Sequence, residues 1–428
     1  MPLTYTSLGD AGVMGTSCHH LTLNGTRVVI DAGRHPRTGD APDLTRLRTL
    51  GADAIALTHA HLDHCGALPM AMRCLPGRRV LATPATAALA TLVLKHHLKR
   101  EAGAAGAAGL PFHADELKAL QWERAAFGQT RAVGRDGVTA RLCDAGHLLG
   151  SASVLLEGGG VRVFATGDLH LRDRAWQRGA TLPDAPVDVL VCESTQGAND
   201  ALDDVLPERV EAALMQAVGD ALRAGGRVLL PVFALGRAQE VLAMLARARD
   251  RGEVPDAPVY LGGLAATVTR LSGEFMDSMA LVEPVVDVSR FGTRPLTPAV
   301  ARRPPPGPAV FLAGSGMVVE GSLAHTLAEH LLDDPAAMLG FVGYLDPDTP
   351  GFALRAGQRQ ARCALRHFPL TAHARRCDLV EVAARLQPRD IILVHGDEAA
   401  RAGLAAALGQ ALPASRVHRP GPRDVLTV

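Results

Sequence analysis

Residues 54–66 read AIALTHAHLDHCG, and this stretch decides how the rest of the chain is interpreted. A short apolar strand stops, and four side chains that bind metals follow within six residues: His59, His61, Asp63 and His64. His59 and His61 are two residues apart, so in extended backbone both imidazoles point to the same side. Asp63 and His64 open a helical stretch, which lets their side chains reach a second position. The stretch therefore predicts that one strand end supplies ligands to two neighbouring metal ions.

The composition predicts a soluble globular protein, and its 428 residues are enough for two domains. Lysine plus arginine and aspartate plus glutamate balance at 44 each, so any site for a polyanion requires a local basic patch or bound cations. Seven scattered cysteines without a CxxC pair indicate a reducing compartment rather than disulfides or a structural zinc site. The N-terminus lacks signal-peptide features and no apolar run is long enough to span a membrane, which predicts a cytoplasmic protein with no membrane partner.

Other acidic and imidazole side chains occur where apolar strands end. Residues 15–33 predict two strands joined at Asn24-Gly25, a common hairpin turn, and the second strand ends on Asp31. Two interpretations of this aspartate stay open: it caps a turn, or its carboxylate orients the metal-binding loop. Further along, His147 lies in a glycine-rich turn, and apolar strands are followed by three more candidates: Asp168, Glu193 and His395.

The candidate metal ligands then number seven, all of them histidines or aspartates: His59, His61, Asp63, His64, His147, Asp168 and His395. Imidazole and carboxylate ligands without cysteine suit zinc or manganese, and seven ligands suit two ions. One ion would be bound by three histidines: His59, His61 and His147. The other ion would be bound by an aspartate and two histidines: Asp63, His64 and His395. Asp168 would bridge the two ions. Two such ions hold a hydroxide between them and stabilise an in-line phosphoryl displacement.

The pattern changes after about residue 203, where strands alternate with helices and predict a parallel sheet covered by helices. Two loops follow strands of this sheet, where open α/β sheets bind ligands. In one, Ser315, Gly316 and Met317 are expected at the start of a helix, with backbone N–H groups for an anion; in the other, Arg237 offers a fork to phosphate. The alternative is that both loops only turn the chain. Residues 101–111, EAGAAGAAGLP, predict a flexible or weakly helical break.

Together these motifs resemble the metallo-β-lactamase superfamily of αββα hydrolases. THAHLDH, the later His147, TGDL and VHGD are similar to its metal motifs. CEST, PVFALGRAQE, AGSGM and the TAH of residues 371–373 are similar to its β-CASP branch of RNA- and DNA-processing nucleases. The likeness covers nearly the whole chain, in the family's order. It implies an α/β fold in which a metallo-β-lactamase domain, residues 1–203 and 359–428, is interrupted by a β-CASP domain, residues 204–358.

The resemblance also implies roles for individual residues. Glu193 resembles the branch's acidic motif that orients a histidine, His373 the motif that protonates the leaving oxygen or contacts the scissile phosphate, and His395 a metal ligand. Asp63 is expected to be catalytic as well as a ligand. Thr371 stands where the family often has serine, which keeps a hydroxyl near the phosphate but adds a methyl group. The RNA-phosphate contacts would then include Thr371 and His373 beside the residues of the two loops.

The function implied is a ribonuclease with two Zn²⁺ or Mn²⁺ ions per chain. A bridging hydroxide would attack phosphorus, and His373, held by Glu193, would give a proton to the departing 3′-oxygen. The products would carry 5′-phosphate and 3′-hydroxyl ends, with single-stranded RNA as substrate and a homodimer as one option. Exonuclease and endonuclease action both stay open. The chain ends soon after the hydrolase domain closes, which resembles short two-domain bacterial members that degrade RNA. Two alternatives remain: a small-molecule metallo-hydrolase of the same superfamily, and a catalytically silent RNA-binding subunit.

Overall fold

The computed structural model describes residues 3–9, 15–105, 110–134 and 136–428. The chain divides into two compact units. The first comprises Met1–Arg172, Gly179–Asp203 and His373–Val428, and the second comprises Asp173–Arg178 and Asp204–Ala372. The predicted break at 101–111 lies in part outside the described residues, and its first five residues, 101–105, are helical. Within the described part of the chain, every helix is too short or too polar to cross a lipid bilayer.

The first unit contains two seven-stranded sheets. One has the order β20-β1-β2-β3-β4-β5-β6 and consists of β1 (Thr4–Ser7), β2 (His19–Leu23), β3 (Thr26–Ile30), β4 (Ala54–Ala56), β5 (Val80–Ala82), β6 (Trp122–Arg124) and β20 (Val425–Thr427). The other has the order β19-β18-β11-β10-β9-β8-β7 and consists of β7 (Thr130–Val133), β8 (Val138–Asp144), β9 (Ala152–Gly158), β10 (Val161–Ala165), β11 (Val189–Glu193), β18 (Asp390–Val394) and β19 (Arg416–His418).

Helices flank these sheets: α1 (Leu44–Leu50), α2 (Leu62–Cys65), α3 (Leu68–Cys74), α4 (Pro84–Ala105), α5 (Ala114–Lys118), α12 (Arg376–Leu386) and α13 (Glu398–Ala411). Side chains from both sheets share one core, in which Leu21 and Ile30 of the first sheet lie with Val154 and Ile392 of the second. The other face of the second sheet is covered by α12 and α13. This sheet-on-sheet arrangement matches the αββα layers expected from the sequence.

Two sets of adjacent parallel strands explain where the polar loops of the first unit meet. β3 and β4 are paired from Val28–Ala54 to Ile30–Ala56, so the loops that begin at Asp31 and after Ala56 leave the sheet side by side. In the other sheet β11 lies between β10 and β18, and all three run parallel. Because parallel strands present their carboxyl ends at one edge, the residues that follow these strands gather there. The predicted Asn24-Gly25 hairpin between β2 and β3 is confirmed, with positive φ at both residues.

The second unit contains one six-stranded sheet with the order β14-β13-β15-β12-β16-β17, in which every pair is parallel. Its strands are β12 (Arg227–Pro231), β13 (Val259–Gly262), β14 (Thr293–Leu296), β15 (Ala309–Ala313), β16 (Met338–Phe341) and β17 (Ala364–His367). Its helices are α6 (Pro207–Arg223), α7 (Arg237–Asp250), α8 (Gly263–Ser272), α9 (Pro298–Arg302), α10 (Leu323–Leu331) and α11 (Pro350–Arg355). The predicted parallel sheet with covering helices is confirmed.

Two short stretches of the second unit differ from the division drawn on sequence. Residues 359–372, assigned to the hydrolase domain, pack in this unit because β17 pairs with β16; the domain boundaries themselves stay a prediction. Residues 173–178, which we call the strap, come from between β10 and β11. Trp176 of the strap is 2% exposed and donates from Nε1 to the Val286 carbonyl at 3.1 Å. Arg178 donates from Nε to the Leu281 carbonyl at 2.9 Å.

Candidate metal centre and catalytic site

Four side chains of the first unit converge with their ligand atoms facing one another. Nδ1 of His61 lies 3.1 Å from Nε2 of His59 and 3.2 Å from Nε2 of His147. Oδ2 of Asp168 lies 3.5 Å from the His59 nitrogen and 3.6 Å from the His147 nitrogen. The atoms at the corners of a tetrahedron around one zinc ion are about 3.3–3.6 Å apart, because zinc–ligand bonds are about 2.0–2.2 Å long. The four atoms therefore have the spacing of a single cation site.

A second group lies beside the first and uses the other oxygen of Asp168. Nε2 of His64 lies 3.3 Å from Asp168 Oδ1, and Nε2 of His395 lies 3.4 Å from Oδ2 of Asp63. Asp63, His64 and His395 can hold an ion with one atom each. Asp63 and His64 lie in α2, so the helical start predicted for them is confirmed. All seven residues predicted as ligands lie in these two groups.

Two buried atoms indicate that a cation belongs here. Nε2 of His64 and Oδ1 of Asp168 are inaccessible to solvent and have no hydrogen-bond partner among the described residues. A buried polar atom without a partner costs about 1–3 kcal/mol, and a metal ion satisfies both atoms at once. The donor set consists of imidazole nitrogens and carboxylate oxygens, which zinc and manganese accept. The residues present therefore fit a divalent metal site.

The protonation of the site agrees with metal binding. Burial lowers the pKa of His59 and of His61, which keeps these imidazoles neutral with a lone pair available. Burial by itself raises the pKa of Asp168, but His395 and His64 outweigh it and hold that pKa well below its usual range. Burial also acts to lower the pKa of His64, yet Asp168 and Asp31 raise it well above its ordinary value. A cation would take the place of that proton.

Asp31 lies directly behind the ligands. Its Oδ2 accepts hydrogen bonds from the Thr58 hydroxyl and from Nδ1 of His64, both at 2.7 Å, and its Oδ1 accepts from the Thr58 backbone N–H at 2.7 Å. The Thr58 hydroxyl also lies 3.1 Å from Nδ1 of His59. With a proton on Nδ1, His64 must present Nε2 as the ligand atom. Of the two interpretations offered for Asp31, this geometry favours the one in which it orients the ligands.

Glu193 is fully buried at the end of β11 and contacts three groups around the site. Its Oε1 accepts from the Leu169 backbone N–H at 2.6 Å. Its Oε2 accepts from Nδ1 of His373 at 3.0 Å and from the Thr195 hydroxyl at 2.6 Å. Burial by itself lowers the pKa of His373, but Glu193 and Asp168 raise it above its ordinary value. The carboxylate thus fixes the orientation of the His373 ring and favours its protonated form.

The phosphate-contact residues predicted for the second unit differ from expectation in two respects. Ser315, Gly316 and Met317 are not at the start of a helix: α10 begins at Leu323, where the Ser322 side chain accepts from the His325 N–H. They form the turn after β15 instead, where the Ser315 hydroxyl accepts from the Val319 N–H at 2.9 Å.

The guanidinium of Arg237 is also not freely presented, because Arg237 is only 6% exposed. It donates to Glu240 Oε2 at 2.6 Å and to the Leu370 carbonyl at 2.7 Å. Thr371 follows Leu370 in the same unit and is partly buried. Phosphate contacts by Arg237, Thr371 and the turn after β15 stay predictions.

Three domain families match consecutive parts of the sequence: a "Beta-lactamase superfamily domain" over residues 26–232, a "Beta-Casp domain" over 238–354, and a "Zn-dependent metallo-hydrolase RNA specificity domain" over 360–420. The ribonuclease TTHA0252 of Thermus thermophilus is 32% identical to this chain over 417 residues, which cover 91% of this chain and 92% of that protein. The chain belongs to the β-CASP family of the metallo-β-lactamase superfamily. The predicted family and fold class are thereby confirmed.

Other relatives of this β-CASP protein are longer than it. The transcription termination factor FttA of Methanocaldococcus jannaschii is 31% identical over 91% of this chain, and the endoribonuclease ysh1 of Schizosaccharomyces pombe is 29% identical over 97% of it. The chain spans 66% of the first protein and 56% of the second. A crystal structure of a protein of unknown function from Enterococcus faecalis V583 aligns with all of this chain at a TM-score of 0.60 and 13% identity, which shows a shared fold.

Two threonines of the site were missed on sequence. Thr58 immediately precedes His59, and Thr195 follows Glu193 by two residues. Both hydroxyls join a buried carboxylate to a candidate ligand histidine of this β-CASP site. Serine and threonine are common where strands end, because their hydroxyls bond to nearby backbone, so the residue type alone gave no signal. The adjacency to a predicted ligand or acid was the feature that could have drawn attention to them.

Proposed function

We propose that this β-CASP protein is a metal-dependent ribonuclease that hydrolyses phosphodiester bonds of single-stranded RNA and leaves 5′-phosphate and 3′-hydroxyl ends. The observation that carries the proposal is the pair of ligand groups joined by the two oxygens of Asp168. Two Zn²⁺ or Mn²⁺ ions held there would supply the nucleophilic hydroxide and stabilise the attacking and leaving oxygens. The family membership and the matched RNA specificity domain support RNA as the substrate class.

His373 is the proposed proton donor. Its Nδ1 donates to Glu193, so a protonated ring carries its second proton on Nε2. The side chain is 21% exposed, whereas Glu193 and Asp168 beside it are 0% and 2% exposed, so the ring borders the space that a substrate enters. Burial by itself lowers the pKa of this ring, but Glu193 and Asp168 raise it above its ordinary value, which favours the protonated form. The position of His373 and the direction of its pKa shift therefore support a role in giving a proton to the departing 3′-oxygen.

Asp63 is proposed to act in the reaction as well as to bind metal. Its side chain is 25% exposed, while that of His395, its partner in the second group, is 5% exposed. Of that group, Asp63 is thus the member that an incoming substrate or water reaches. Burial raises its pKa and the neighbouring histidines, led by His395, lower it below the usual range, so the carboxylate is ionised.

The second unit offers apolar contacts for RNA in addition to the predicted phosphate loops. β12 lies between β15 and β16, and the loop after each of these three strands carries one exposed large apolar side chain: Phe233, Val319 and Tyr344. Phe233 and Tyr344 are 38% and 57% exposed, and every other phenylalanine, tyrosine or tryptophan in the described ranges is less exposed. Exposed rings stack on unpaired bases regardless of sequence, worth about 1–3 kcal/mol per base. We include both rings in the proposed RNA-binding surface.

The variant His373→Ala tests the proposed role of this residue. RNA cleavage should fall at least about 100-fold, because a positioned general acid contributes about 10²–10⁴ in rate. The amount of bound metal should stay at the wild-type value, since His373 is not one of the seven proposed ligands. Cleavage within a few-fold of wild type would show that another group protonates the leaving oxygen.

A digest of end-labelled RNA distinguishes exonuclease from endonuclease action and Zn²⁺ from Mn²⁺ as the active metal. Substrates carrying a 5′-phosphate or a 5′-triphosphate, each offered with Zn²⁺ and with Mn²⁺, report direction, end preference and metal preference together. Mononucleotides released from a 5′-phosphate substrate would indicate an exonuclease, and internal fragments an endonuclease. No cleavage of any RNA in either metal would contradict the proposed function.

The homodimer and the cytoplasmic location also stay predictions.

A further inference from the structure

Thr195 occupies a position fixed by two neighbouring strands. β11 and β18 run parallel, and Glu193 pairs with Val394 at their carboxyl ends. The Ser194 hydroxyl donates to the Val394 carbonyl at 2.8 Å, which ties the residue after β11 to the end of β18. Thr195 therefore leaves its strand directly beside His395, the first residue after β18.

The hydroxyl of Thr195 has three acceptors within reach but only one proton to donate. Its Oγ lies 2.6 Å from Oε2 of Glu193, 3.0 Å from Nδ1 of His395 and 3.3 Å from the His395 carbonyl. The carboxylate is the nearest and the only charged acceptor, so it takes the proton. The oxygen then offers a lone pair to Nδ1 of His395, and this contact is a hydrogen bond only if Nδ1 carries the ring proton.

We propose that Thr195 is a positioning residue that holds His395 in the tautomer with its proton on Nδ1. The other nitrogen, Nε2, then keeps its lone pair towards Asp63 Oδ2, 3.4 Å away, where the second ion is proposed to bind. This inference rests on the proposed metal site. It adds a connection that the ligand set alone does not contain, because the same hydroxyl bonds to Glu193, the carboxylate that holds His373. One side chain thus joins a metal ligand to the proposed proton donor.

The surroundings of His395 determine what happens without the hydroxyl. Oδ1 of Asp168 lies 3.5 Å from Nδ1 of His395 and is the next acceptor that the ring can use. This Asp168 Oδ1 is also the oxygen that faces Nε2 of His64, so a hydrogen bond from His395 would compete with its use in the second group. The first group uses the other oxygen of Asp168, 3.5 Å from Nε2 of His59, and does not contact Thr195. Loss of the hydroxyl is therefore expected to weaken the second ion selectively.

A pair of substitutions tests the proposal by metal binding, independently of RNA cleavage. Thr195→Val keeps the shape and removes the hydroxyl, and Thr195→Ser keeps the hydroxyl. Zn²⁺ equivalents and affinities are measured by competition with a chromogenic chelator. For Thr195→Val we expect the second equivalent to bind about 10–100-fold more weakly, as is typical when a partner of a ligand histidine is removed, and the first equivalent to be unchanged. Thr195→Ser should bind both equivalents within about threefold of wild type.

Thr91→Val provides a matched control in the same unit. The Thr91 hydroxyl donates to the Ala87 carbonyl within α4 rather than to a proposed ligand, so both equivalents should bind as in wild type. Wild-type binding of both equivalents by Thr195→Val would overturn the proposal, and so would equal weakening in Thr195→Ser, since the hydroxyl would then not be the cause. RNA cleavage is measured in parallel: kcat is expected to fall for Thr195→Val with KM unchanged and to recover for Thr195→Ser.

A measurement on the wild-type chain covers the case in which Thr195→Val does not fold. The ring ¹⁵N shifts of His395 in the full-length chain, loaded with Zn²⁺, report which nitrogen carries the proton. The proposal requires the proton to lie on Nδ1 once Zn²⁺ is bound, and a predominant Nε2–H tautomer would overturn it. If the chain binds two ions as described and yet cleaves no RNA, the proposed function fails while the role of Thr195 stands.

Discussion

Replacing Asp31 with asparagine changes two of the three hydrogen bonds that this side chain accepts. The amide oxygen can still accept from the Thr58 backbone N–H, but the amide nitrogen cannot accept from the Thr58 hydroxyl or from Nδ1 of His64. His64 then loses the acceptor that keeps its proton on Nδ1. The alternative tautomer carries the proton on Nε2, where it blocks the nitrogen that faces Asp168.

The size of the effect follows from the bond that is lost. A hydrogen bond between His64 and a buried carboxylate contributes about 1.5–3 kcal/mol, and this energy favours the ligating tautomer. Each 1.4 kcal/mol corresponds to tenfold in a binding constant, so Asp31→Asn should weaken metal binding about 10–100-fold, a range also typical for carboxylates behind ligand histidines. The ligands themselves are untouched, so the site should still fill when metal is in large excess.

The assay is competition for Zn²⁺ between the protein and a chromogenic chelator, with stoichiometry checked by elemental analysis. Asp53→Asn is a matched control, because Asp53 accepts from the Arg27 backbone N–H at 2.9 Å in the same sheet and contacts no ligand. The control should bind metal like wild type. Equal affinities for Asp31→Asn and wild type, with both proteins folded, would refute the orienting role of Asp31.

Three further predictions concern metal stoichiometry, RNA affinity and acid stability. His61→Ala should lower tightly bound metal from two equivalents to one by elemental analysis; two retained equivalents would contradict the division into groups. Phe233→Ala combined with Tyr344→Ala should weaken binding of a short single-stranded RNA about 10-fold or more in a fluorescence anisotropy titration, and wild-type affinity would remove both rings from the surface. For Asp390, burial raises the pKa, but hydrogen bonds from Arg416, His418 and Arg389 lower it to about 2. A carboxyl whose folded-state pKa is lowered adds stability that is complete above about pH 4 and lost towards pH 2. Asp390→Asn should therefore remove about 1–2 kcal/mol of unfolding free energy at neutral pH and less at pH 2, measured by urea denaturation. A loss that does not depend on pH would contradict the assignment to the ionised carboxylate.

The seven ligand candidates could be found on sequence because metal binding restricts residue type. Only a few side chains coordinate zinc or manganese, and most of these candidates follow apolar strands whose parallel pairing brings their ends together. His147 is the exception, because it lies in the turn between the antiparallel strands β8 and β9. His395 is an example: it lies far from His59 in sequence, but it ends a strand of the same kind, and the two residues meet in one site. The sequence pattern was sufficient to bring these candidates together because both the residue types and the strand ends were visible in it, and their role as ligands stays a prediction.

Other features depend on contacts that residue type does not reveal. The start of α10 was placed too early because a glycine-rich turn resembles an anion-binding loop, whereas Ser322, the residue that caps the helix, is an ordinary serine. Arg237 was assigned to phosphate, although Glu240 three residues later on the same helix offers it a buried partner. Thr195 was overlooked because hydroxyls near strand ends have many local uses. In each case the role of the residue depends on a contact with a second side chain, and the position of that side chain is known only from the folded structure.

The strap at residues 173–178 determines whether the two units of this protein can be separated by deletion. A shortened chain that lacks residues 204–372, with the cut ends joined, would still contain Trp176, now without the core that buries it. An uncovered indole of about 200 Å² costs on the order of 5 kcal/mol, comparable with the whole stability of a small domain. The inserted unit is equally dependent, because its Leu281 and Val286 carbonyls would lose their donors. Deletion of residues 204–372 alone is therefore expected to destabilise what remains, and a stable shortened chain would also have to replace or remove the strap.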